Sequence, residues 1–433
     1  MTTSSTSSTG PVGIDSIAAG GDGVGRLDDG RVVFVPRTAP GDRVTVRPVR
    51  DGGRWLRAEA VTFESTSPDR RSAPCPLYDT CGGCQLQHLA YRAQLEAKAR
   101  VVGDALRRIG KLEVDDPPVD PAPDEFGYRN RVSLSLVRLR GGRVVAGFHA
   151  RGRPGRIVDV VDECLLPHAA VLRTWTSLRA AWGPGARNLP PGSELRLTVR
   201  AVDGGTLLAV EGGRPGGDAA GLVDEVDGLR AVWHAPEGEG WRHLAGDEAC
   251  FETLPWRRVR VLPGAFAQVN PAVAEALHTA VVKEIGGGRG LRIVDAYCGV
   301  GLHGRRLARH GARVVGLELD PVAAAVARED APVGFRLIEG PAEDTLPGAL
   351  PADRVILNPP RGGLDARVPE ALRASPPARV VYVSCDPATL ARDVARLGPA
   401  WRVRRVAALD LFPQTAHVET VVTLDAEHPV TDS

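Results

Sequence analysis

The stretch that most restricts what this chain can fold into runs from Leu291 to Asp320. Arg292-Ile293-Val294-Asp295 is a short apolar run ending in an acid, and Ala296-Tyr297-Cys298-Gly299-Val300-Gly301 follows as a glycine loop. Arg305, Leu307 and Ala308 mark a helix, and Arg313 to Asp320 is a second apolar run that closes on acids. Two strands joined by a crossover helix must pair in parallel, and parallel sheets are covered by helices on both faces. The C-terminal part is therefore expected to be a doubly wound α/β sheet, with its ligand crevice outside the carboxyl ends of the strands.

Gly299, Gly301 and Gly304 match G-x-G-x-x-G, so a nicotinamide-dependent dehydrogenase has to be weighed. Two features point elsewhere. Asp295, directly before the loop, can neutralise a ligand ammonium but would not help to bind a pyrophosphate. Further on, Arg354-Val355-Ile356-Leu357 ends in Asn358-Pro359-Pro360-Arg361, which sets a rigid amide at the crevice. With Glu318 placed to accept ribose hydroxyls, the ligand reads as S-adenosylmethionine and the reaction as methyl transfer.

A third stretch supplies a candidate nucleophile. Val380-Val381-Tyr382-Val383 is a buried strand, and Pro387 suits the first turn of a helix carrying Leu390, Val394 and Leu397. Cys385 lies between them, where a helix N-terminus would favour the thiolate. From this stretch alone it could equally be a small core residue at a strand end.

The 433 residues are enough for two or three domains. Fifty-four basic and 53 acidic residues give a charge of +1, so any nucleic-acid surface must be a local patch. Only Lys98, Lys111 and Lys283 are lysines, which leaves arginine as nearly every cation. Met1 to Thr9 is Ser/Thr-rich and resembles a disordered tail; no apolar run is long enough for a membrane span. Seven cysteines, an odd number, suggest a reducing and hence cytoplasmic setting. Between Val12 and Phe63, short alternating runs separated by Gly20-Gly21, Asp29-Gly30 and Gly52-Gly53 predict a small five-stranded barrel of the kind that often holds RNA.

Cys75, Cys81 and Cys84 form a C-x5-C-G-G-C array followed by Gln87. Three cysteines within ten residues point to metal or cluster ligation, with Cys164 as the obvious fourth ligand and His88 and His168 as competitors. Thiolates alone do not separate zinc from an iron-sulfur cluster. Tyr91 to Ile109 has helical spacing, a Pro-rich connection follows, and Phe126-Gly127-Tyr128-Arg129-Asn130-Arg131 enters an alternating strand. Its arginines and aromatics, Arg129 and Arg131 among them, could hold phosphate and stack on bases, or could be solvated strand residues. The pattern then stays β-rich through Trp256.

The cysteine array, Phe126 to Val132, Gly-Ala-Phe-Ala-Gln-Val-Asn-Pro at 264 to 271, Asn-Pro-Pro-Arg-Gly-Gly at 358 to 363, Ser-Cys-Asp-Pro-Ala-Thr-Leu-Ala-Arg-Asp at 384 to 393 and Asp-Leu-Phe-Pro-Gln-Thr-Ala-His-Val-Glu-Thr-Val at 410 to 421 occur in one order. In that order the chain resembles the RNA 5-methyluridine methyltransferases, in the branch with a TRAM domain and an iron-sulfur cluster. The resemblance implies that Cys385 attacks uracil C6 and that Glu419 is the base for the C5 proton. It places Gln268, Tyr297, Glu318 and Asn358 around S-adenosylmethionine, beside Asp295, Gly299 and Gly301 of the loop, and Phe266 near the target base. It also resolves the array toward a 4Fe-4S cluster on Cys75, Cys81, Cys84 and Cys164. Leu302 and Pro341 depart from the family pattern at positions where relatives carry polar residues near the donor.

The expected architecture is a tail over 1–9, an OB-like TRAM barrel over 10–66, a central β-rich cluster domain over 67–260 and a Rossmann-like methyltransferase domain over 261–433. The helix of 91–110 is a candidate to pack on the catalytic domain. The expected substrate is RNA, ribosomal ahead of transfer RNA, because simpler transfer-RNA members of the family lack the barrel and the array. No obligate protein partner is called for, and the chain is expected to act as a monomer. A non-catalytic, cluster-bearing RNA-binding protein is a second alternative, which the intact Cys385 and Glu419 argue against, and the dehydrogenase is the third.

Overall fold

The computed structural model describes residues 9–427 except 266 and 287, so Phe266 and nearly all of the expected tail lie outside the described residues. Thr9 already belongs to a strand. Strands β1 (Thr9–Ile17), β2 (Gly23–Arg26), β3 (Val32–Val35), β4 (Arg43–Asp51) and β5 (Trp55–Ser65) close a barrel in the order β1-β2-β3-β5-β4. Their alternating inward residues, Val33, Val35, Val44, Val46, Leu56 and Ala58 among them, fill its interior. The cysteine-bearing segment follows without regular structure, and helix α1 (Tyr91–Arg108) and the short strand β6 (Val119–Asp120) come next.

The central part holds β7 (Arg131–Arg138), β8 (Val144–Ala150), β9 (Arg153–Asp159), α2 (Ala169–Ala181), β10 (Glu194–Val202), β11 (Gly205–Glu211), α3 (Ala219–Glu225), β12 (Leu229–Ala235) and β13 (Arg242–Gly246). Its seven strands form one sheet in the order β13-β12-β11-β10-β7-β8-β9, and β14 (Cys250–Leu254) with β15 (Arg257–Val261) makes a separate hairpin. The β-rich expectation thus misses two helices. Val171, Trp175 and Leu178 repeat at helical spacing and bury α2 against the sheet, together with Leu222 and Val226 at α3.

The C-terminal part runs α4 (Pro271–Ile285), β16 (Arg292–Ala296), α5 (Leu302–Arg309), β17 (Arg313–Glu318), α6 (Pro321–Arg328), β18 (Phe335–Glu339), α7 (Ala342–Ala349), β19 (Arg354–Leu357), α8 (Arg367–Ala374), β20 (Arg379–Ser384), α9 (Pro387–Leu397), β21 (Trp401–Leu409) and β22 (Glu419–Ala426). The sheet order is β18-β17-β16-β19-β20-β22-β21-β6. The first five strands pair in parallel, and β22 runs antiparallel between β20 and β21. Ile293 to Ala296 and Val380 to Val383 are all buried, as strands covered on both faces must be. Chain order reverses between β16 and β19, so the crevice opens where Tyr297 and Asn358 leave the sheet.

The helix of 91–110 packs on the catalytic part, as its candidacy had it, and β6, which falls within the expected central domain, joins this sheet. β6 pairs with β21 through Val119 and Asp120, and Val102 and Leu106 of α1 pack with Ala391, Ala408 and Val418. Lys98 and Asp410 form a buried ion pair at 2.5 Å across the same junction. No helix among the described residues is long and apolar enough to cross a membrane.

Candidate active site

Strand register brings the two expected reactive groups together. β20 and β22 pair antiparallel from Arg379 opposite Asp425 to Ser384 opposite Thr420. One further step sets Cys385 across from Glu419, one residue past the end of β20 and at the first residue of β22. Cys385 is half-buried, while Glu419 is only 3% exposed. Desolvation pushes the Glu419 carboxyl up to about 8, opposed by the Arg361 guanidinium.

The helix N-terminus is expected to favour the Cys385 thiolate, and burial works against it here. Asp386 caps α9 itself, its side chain accepting from Thr389 N–H at 2.8 Å. Burial raises the thiol above its ordinary value, the Glu419 carboxylate raises it further, and Arg361 works in the opposite direction. His417 is pushed down to about 4 by burial and by the cations Arg361, Lys98 and Arg129, so its ring is neutral. It packs edge-on to Phe412 with centroids 5.8 Å apart.

The donor side is built by the glycine loop. Asp295 is fully buried; its Oδ2 accepts from Gly304 N–H at 2.8 Å, and its Oδ1 has no partner. Desolvation raises this carboxyl to about 7. A buried acceptor without a donor is what a ligand ammonium would complete, so the residues fit S-adenosylmethionine. Glu318 accepts from Gly299 N–H and Asp320 N–H, each at 2.7 Å, which aligns the carboxylate along the loop. Tyr297 sits at φ 60°, a left-handed conformation that costs a non-glycine residue roughly 1–3 kcal/mol and turns the chain out of β16. Gly304 leaves no room for a Cβ, which would lie 2.8 Å from Phe335 and 3.0 Å from Asp295 Oδ2. Asn358 N–H reaches the Ala296 carbonyl at 3.3 Å, and Gln268 is half-buried on the segment before α4, which Asn130 N–H holds through Val269 at 2.8 Å.

Cys75, Cys81, Cys84 and Cys164 line one cavity, together with Tyr78 and Phe148. His88 is not a competitor for the fourth place, since Tyr78 O–H and the Thr38 carbonyl engage its ring nitrogens at 2.7 and 3.1 Å. The side chains as placed form no ready metal-ligating group of three or more His, Cys, Asp or Glu among the described residues. A set of four thiols around one cavity nonetheless has the chemistry of an iron-sulfur or zinc site. Burial raises these thiols, Cys84 to about 11 and Cys164 to about 12, and neighbouring thiols add to it at Cys81, Cys84 and Cys164. Arg129 lies by Cys84 and Cys164 on one side and His417 on the other, held to Tyr128 O–H at 3.4 Å. It therefore faces inward, between the two sites. Arg131 sits on β7 near Arg200 and Glu252.

Comparison with known proteins decides the family. A sequence model of the TRAM domain matches residues 7–61, and one of the tRNA (Uracil-5-)-methyltransferase family matches residues 348–427. Two proteins named as uncharacterized RNA methyltransferases are similar throughout. That of Gloeobacter violaceus is 36% identical over 96% of both chains, and that of Thermosynechococcus vestitus 37% identical over 95% of this chain and 96% of its own. The chain belongs to the RNA methyltransferase family. Its fold is similar to that of the Pyrococcus abyssi tRNA (uracil-54, C5)-methyltransferase in complex with S-adenosyl-L-homocysteine, with a TM-score of 0.75, 27% identity, and 95% of this chain and 100% of that one covered.

Two residues of this RNA methyltransferase escaped the sequence reading as site residues. Arg361, quoted there only as part of a motif, is the cation that reaches both Cys385 and Glu419. Asp393 seats the loop that carries it: Oδ2 accepts from Leu364 N–H and Tyr382 O–H, each at 2.8 Å, and Arg392 holds the Gly362 carbonyl at 2.8 Å. A Cβ on Gly363 would strike Asp393 at 2.2 Å, so the loop can close on α9 only with glycine there. An arginine directly after Asn-Pro-Pro was the available signal for the first; nothing local announces the second.

Proposed function

We propose that this methyltransferase methylates C5 of a uracil in RNA, with S-adenosylmethionine as donor. The observation that carries the reading is the register of β20 on β22, which sets one thiol and one carboxylate on the same opening with a single arginine beside both. Uracil C5 is a poor nucleophile until a group adds at C6. The Cys385 thiolate forms the S–C6 bond, and the electron pair of the C5–C6 double bond moves into the ring toward O4. Bound donor supplies an electrophilic methyl group, positioned by Asp295, Glu318, Tyr297, Asn358 and Gln268. Once C5 carries the methyl group, Glu419 takes the C5 proton, the double bond re-forms and the C6–S bond breaks, returning Cys385. Arg361 favours the charged forms of both groups, which desolvation disfavours. Phe266 and Arg131 are assigned to the RNA side, and Arg129 to the junction between the thiol cavity and the target pocket.

Within the same reading, Cys75, Cys81, Cys84 and Cys164 hold a 4Fe-4S cluster that shapes the central part and helps to position RNA. The residues fit such a group because four thiols face one cavity and His88 is engaged elsewhere. In Cys84→Ser, RNA affinity should fall while donor binding by calorimetry stays at the wild-type value; unchanged RNA affinity would remove the positioning role.

Ribosomal RNA is the first substrate reading, in a cytoplasmic enzyme. Transfer RNA is the second, and one observation favours it: the Pyrococcus abyssi enzyme, which acts on tRNA by its name, covers 95% of this chain, so the barrel and the central part do not discriminate between the two RNAs. The deciding experiment incubates anaerobically purified protein with tritiated methyl donor and unmodified ribosomal or transfer RNA, alongside Cys385→Ala. Label recovered as 5-methyluridine in one RNA and lost in the variant supports the reaction and names the substrate. Equal labelling by wild type and Cys385→Ala would refute the covalent mechanism.

A further inference from the structure

The strap between β21 and β22, residues 410–418, carries His417 and leads into Glu419, and it is tied to the cysteine-bearing loop around Gln414. Gln414 is completely buried and sits at φ 70°. Its Oε1 accepts from Gln94 Nε2 and Arg71 Nη2, both at 3.0 Å, and its Nε2 donates to Glu125 at 3.0 Å. Its own N–H donates to Gln94 Oε1 at 3.1 Å. Its carbonyl accepts from the N–H groups of Gln85 and Leu86 at 3.0 and 2.9 Å, the two residues that follow Cys84.

The connection continues on both sides. Gln85 Oε1 accepts from Ala416 N–H at 3.3 Å while its Nε2 donates to the Gly82 carbonyl at 2.7 Å, between Cys81 and Cys84. Arg71 also holds the Gln87 carbonyl at 3.1 Å, and Gln87 Oε1 accepts from Cys75 N–H at 3.2 Å. On the other side Tyr128 O–H reaches the Pro413 carbonyl at 3.0 Å, Lys98 Nζ the Phe412 carbonyl at 3.1 Å, and His417 N–H the Thr415 hydroxyl at 3.3 Å. A left-handed non-glycine residue persists only where its surroundings over-determine it, and here those surroundings are Arg71, Gln94, Glu125 and the Gln85–Leu86 end of the cysteine-bearing loop.

We propose that Gln414 is a positioning residue that couples the four-cysteine loop to the strap leading into β22, so that the condition of the cysteine cavity sets how Glu419 is held against Cys385. The inference rests on the methyl-transfer reading for the meaning of that closure, but its test does not use methyl transfer. Cys385 is half-buried with Glu419 beside it, so a loosened strap uncovers the thiol and withdraws a like charge. Both changes speed alkylation.

The test is peptide-resolved mass spectrometry of Cys385 alkylation by iodoacetamide in the full-length protein at pH 8. It compares wild type, Gln414→Gly, Cys84→Ser and the double variant, with S-adenosylhomocysteine binding as the check on folding. Gln414→Gly is chosen because it relieves the backbone strain and deletes the side-chain bonds to Gln94, Arg71 and Glu125, while the main-chain carbonyl can still accept from Gln85 and Leu86. A residue that merely shapes a turn would leave Cys385 unchanged there. Coupling predicts that each single variant speeds Cys385 alkylation by at least about threefold, and that the double variant is no faster than the faster single one, with donor-product binding retained. A Cys385 rate in Gln414→Gly within about twofold of wild type, or single effects that multiply in the double variant, would overturn the proposal. Absence of methyl transfer with coupling present would count against the catalytic reading alone, and the reverse pattern against this one alone.

Discussion

The four-cysteine cavity and the Cys385 site both hold desolvated thiols, and they differ in where a compensating positive charge comes from. In the four-cysteine cavity burial raises every thiol, and Cys84 and Cys164 also feel their neighbours as like charges. Arg37 and Arg129 oppose this only in part, and four thiolates would leave the cavity strongly anionic. Such a set becomes fully deprotonated when a metal group supplies the missing charge. At Cys385 one thiol meets one carboxylate and one guanidinium, so the charge needed to reach the thiolate is already in the chain. The first arrangement suits permanent ligation. The second suits a sulfur that must bond carbon and leave again within a turnover, because a group held too firmly as thiolate or as thiol would stall one half of the cycle.

The largest effect that could break this contrast is expected from Glu419→Gln. Loss of the base should lower turnover by about 10²- to 10⁴-fold, while covalent protein–RNA complex accumulates on denaturing gels because addition survives and elimination does not. Removing the like charge should at the same time speed Cys385 alkylation in the free protein. The sign of the pH dependence follows from the raised carboxyl: it holds its proton up to about 8 and acts as a base only above that, so kcat/KM should rise with pH through that value. Turnover near the wild-type level in Glu419→Gln would reduce the residue to a buried strand end.

The parts legible in sequence were those whose signal is local. The β16 loop and the β20 run into Cys385 declare themselves by apolar runs, glycines and Pro387 at a helix start. Within the N-terminal barrel, Val32–Val35 alternates as the strand it is. Helix α2 was overlooked although Val171, Trp175 and Leu178 have helical spacing, because the strands on either side dominate that stretch. What depends on long-range docking was not visible: β6 against β21, Lys98 against Asp410, and Gln414 against Gln85 join positions hundreds of residues apart. The burial that opposes the Cys385 thiolate is hidden for a related reason. A helix start can be read from sequence, whereas the burial that outweighs it belongs to the assembled sheet.

Arg361→Leu should produce the next largest effect, by making Cys385 resemble the cavity thiols. Without the guanidinium the thiol rises further and the thiolate fraction falls, so alkylation at pH 8 should slow. The Glu419 limb of the kcat/KM profile should move upward from about 8, since the same cation opposes that shift. The side chain is exposed on its loop, so the fold should be unaffected. An unchanged alkylation rate would mean that the loop does not hold the charge against the sulfur in solution.

The smallest effect is expected at Asp393, and it separates charge from geometry in the way Arg361 is delivered. Asp393 Oδ2 serves Leu364 N–H and Tyr382 O–H inside the protein, while Oδ1 faces Arg392 and Arg396 at the partly exposed edge. In Asp393→Asn the amide oxygen can keep both inner donors, and what is lost is a pair of half-exposed ion pairs worth on the order of 0–1 kcal/mol. Cys385 alkylation and turnover should therefore stay within about twofold of wild type. Asp393→Ala instead leaves two buried donors unserved, at a cost of roughly 1–3 kcal/mol each, and frees the loop from α9, so its Cys385 alkylation should fall toward that of Arg361→Leu. Equal damage from both substitutions would show that the carboxylate acts through its charge. Damage from Ala alone would show that it acts by seating the loop, and that the counter-charge at Cys385 is a matter of where the backbone of residues 361–364 is held.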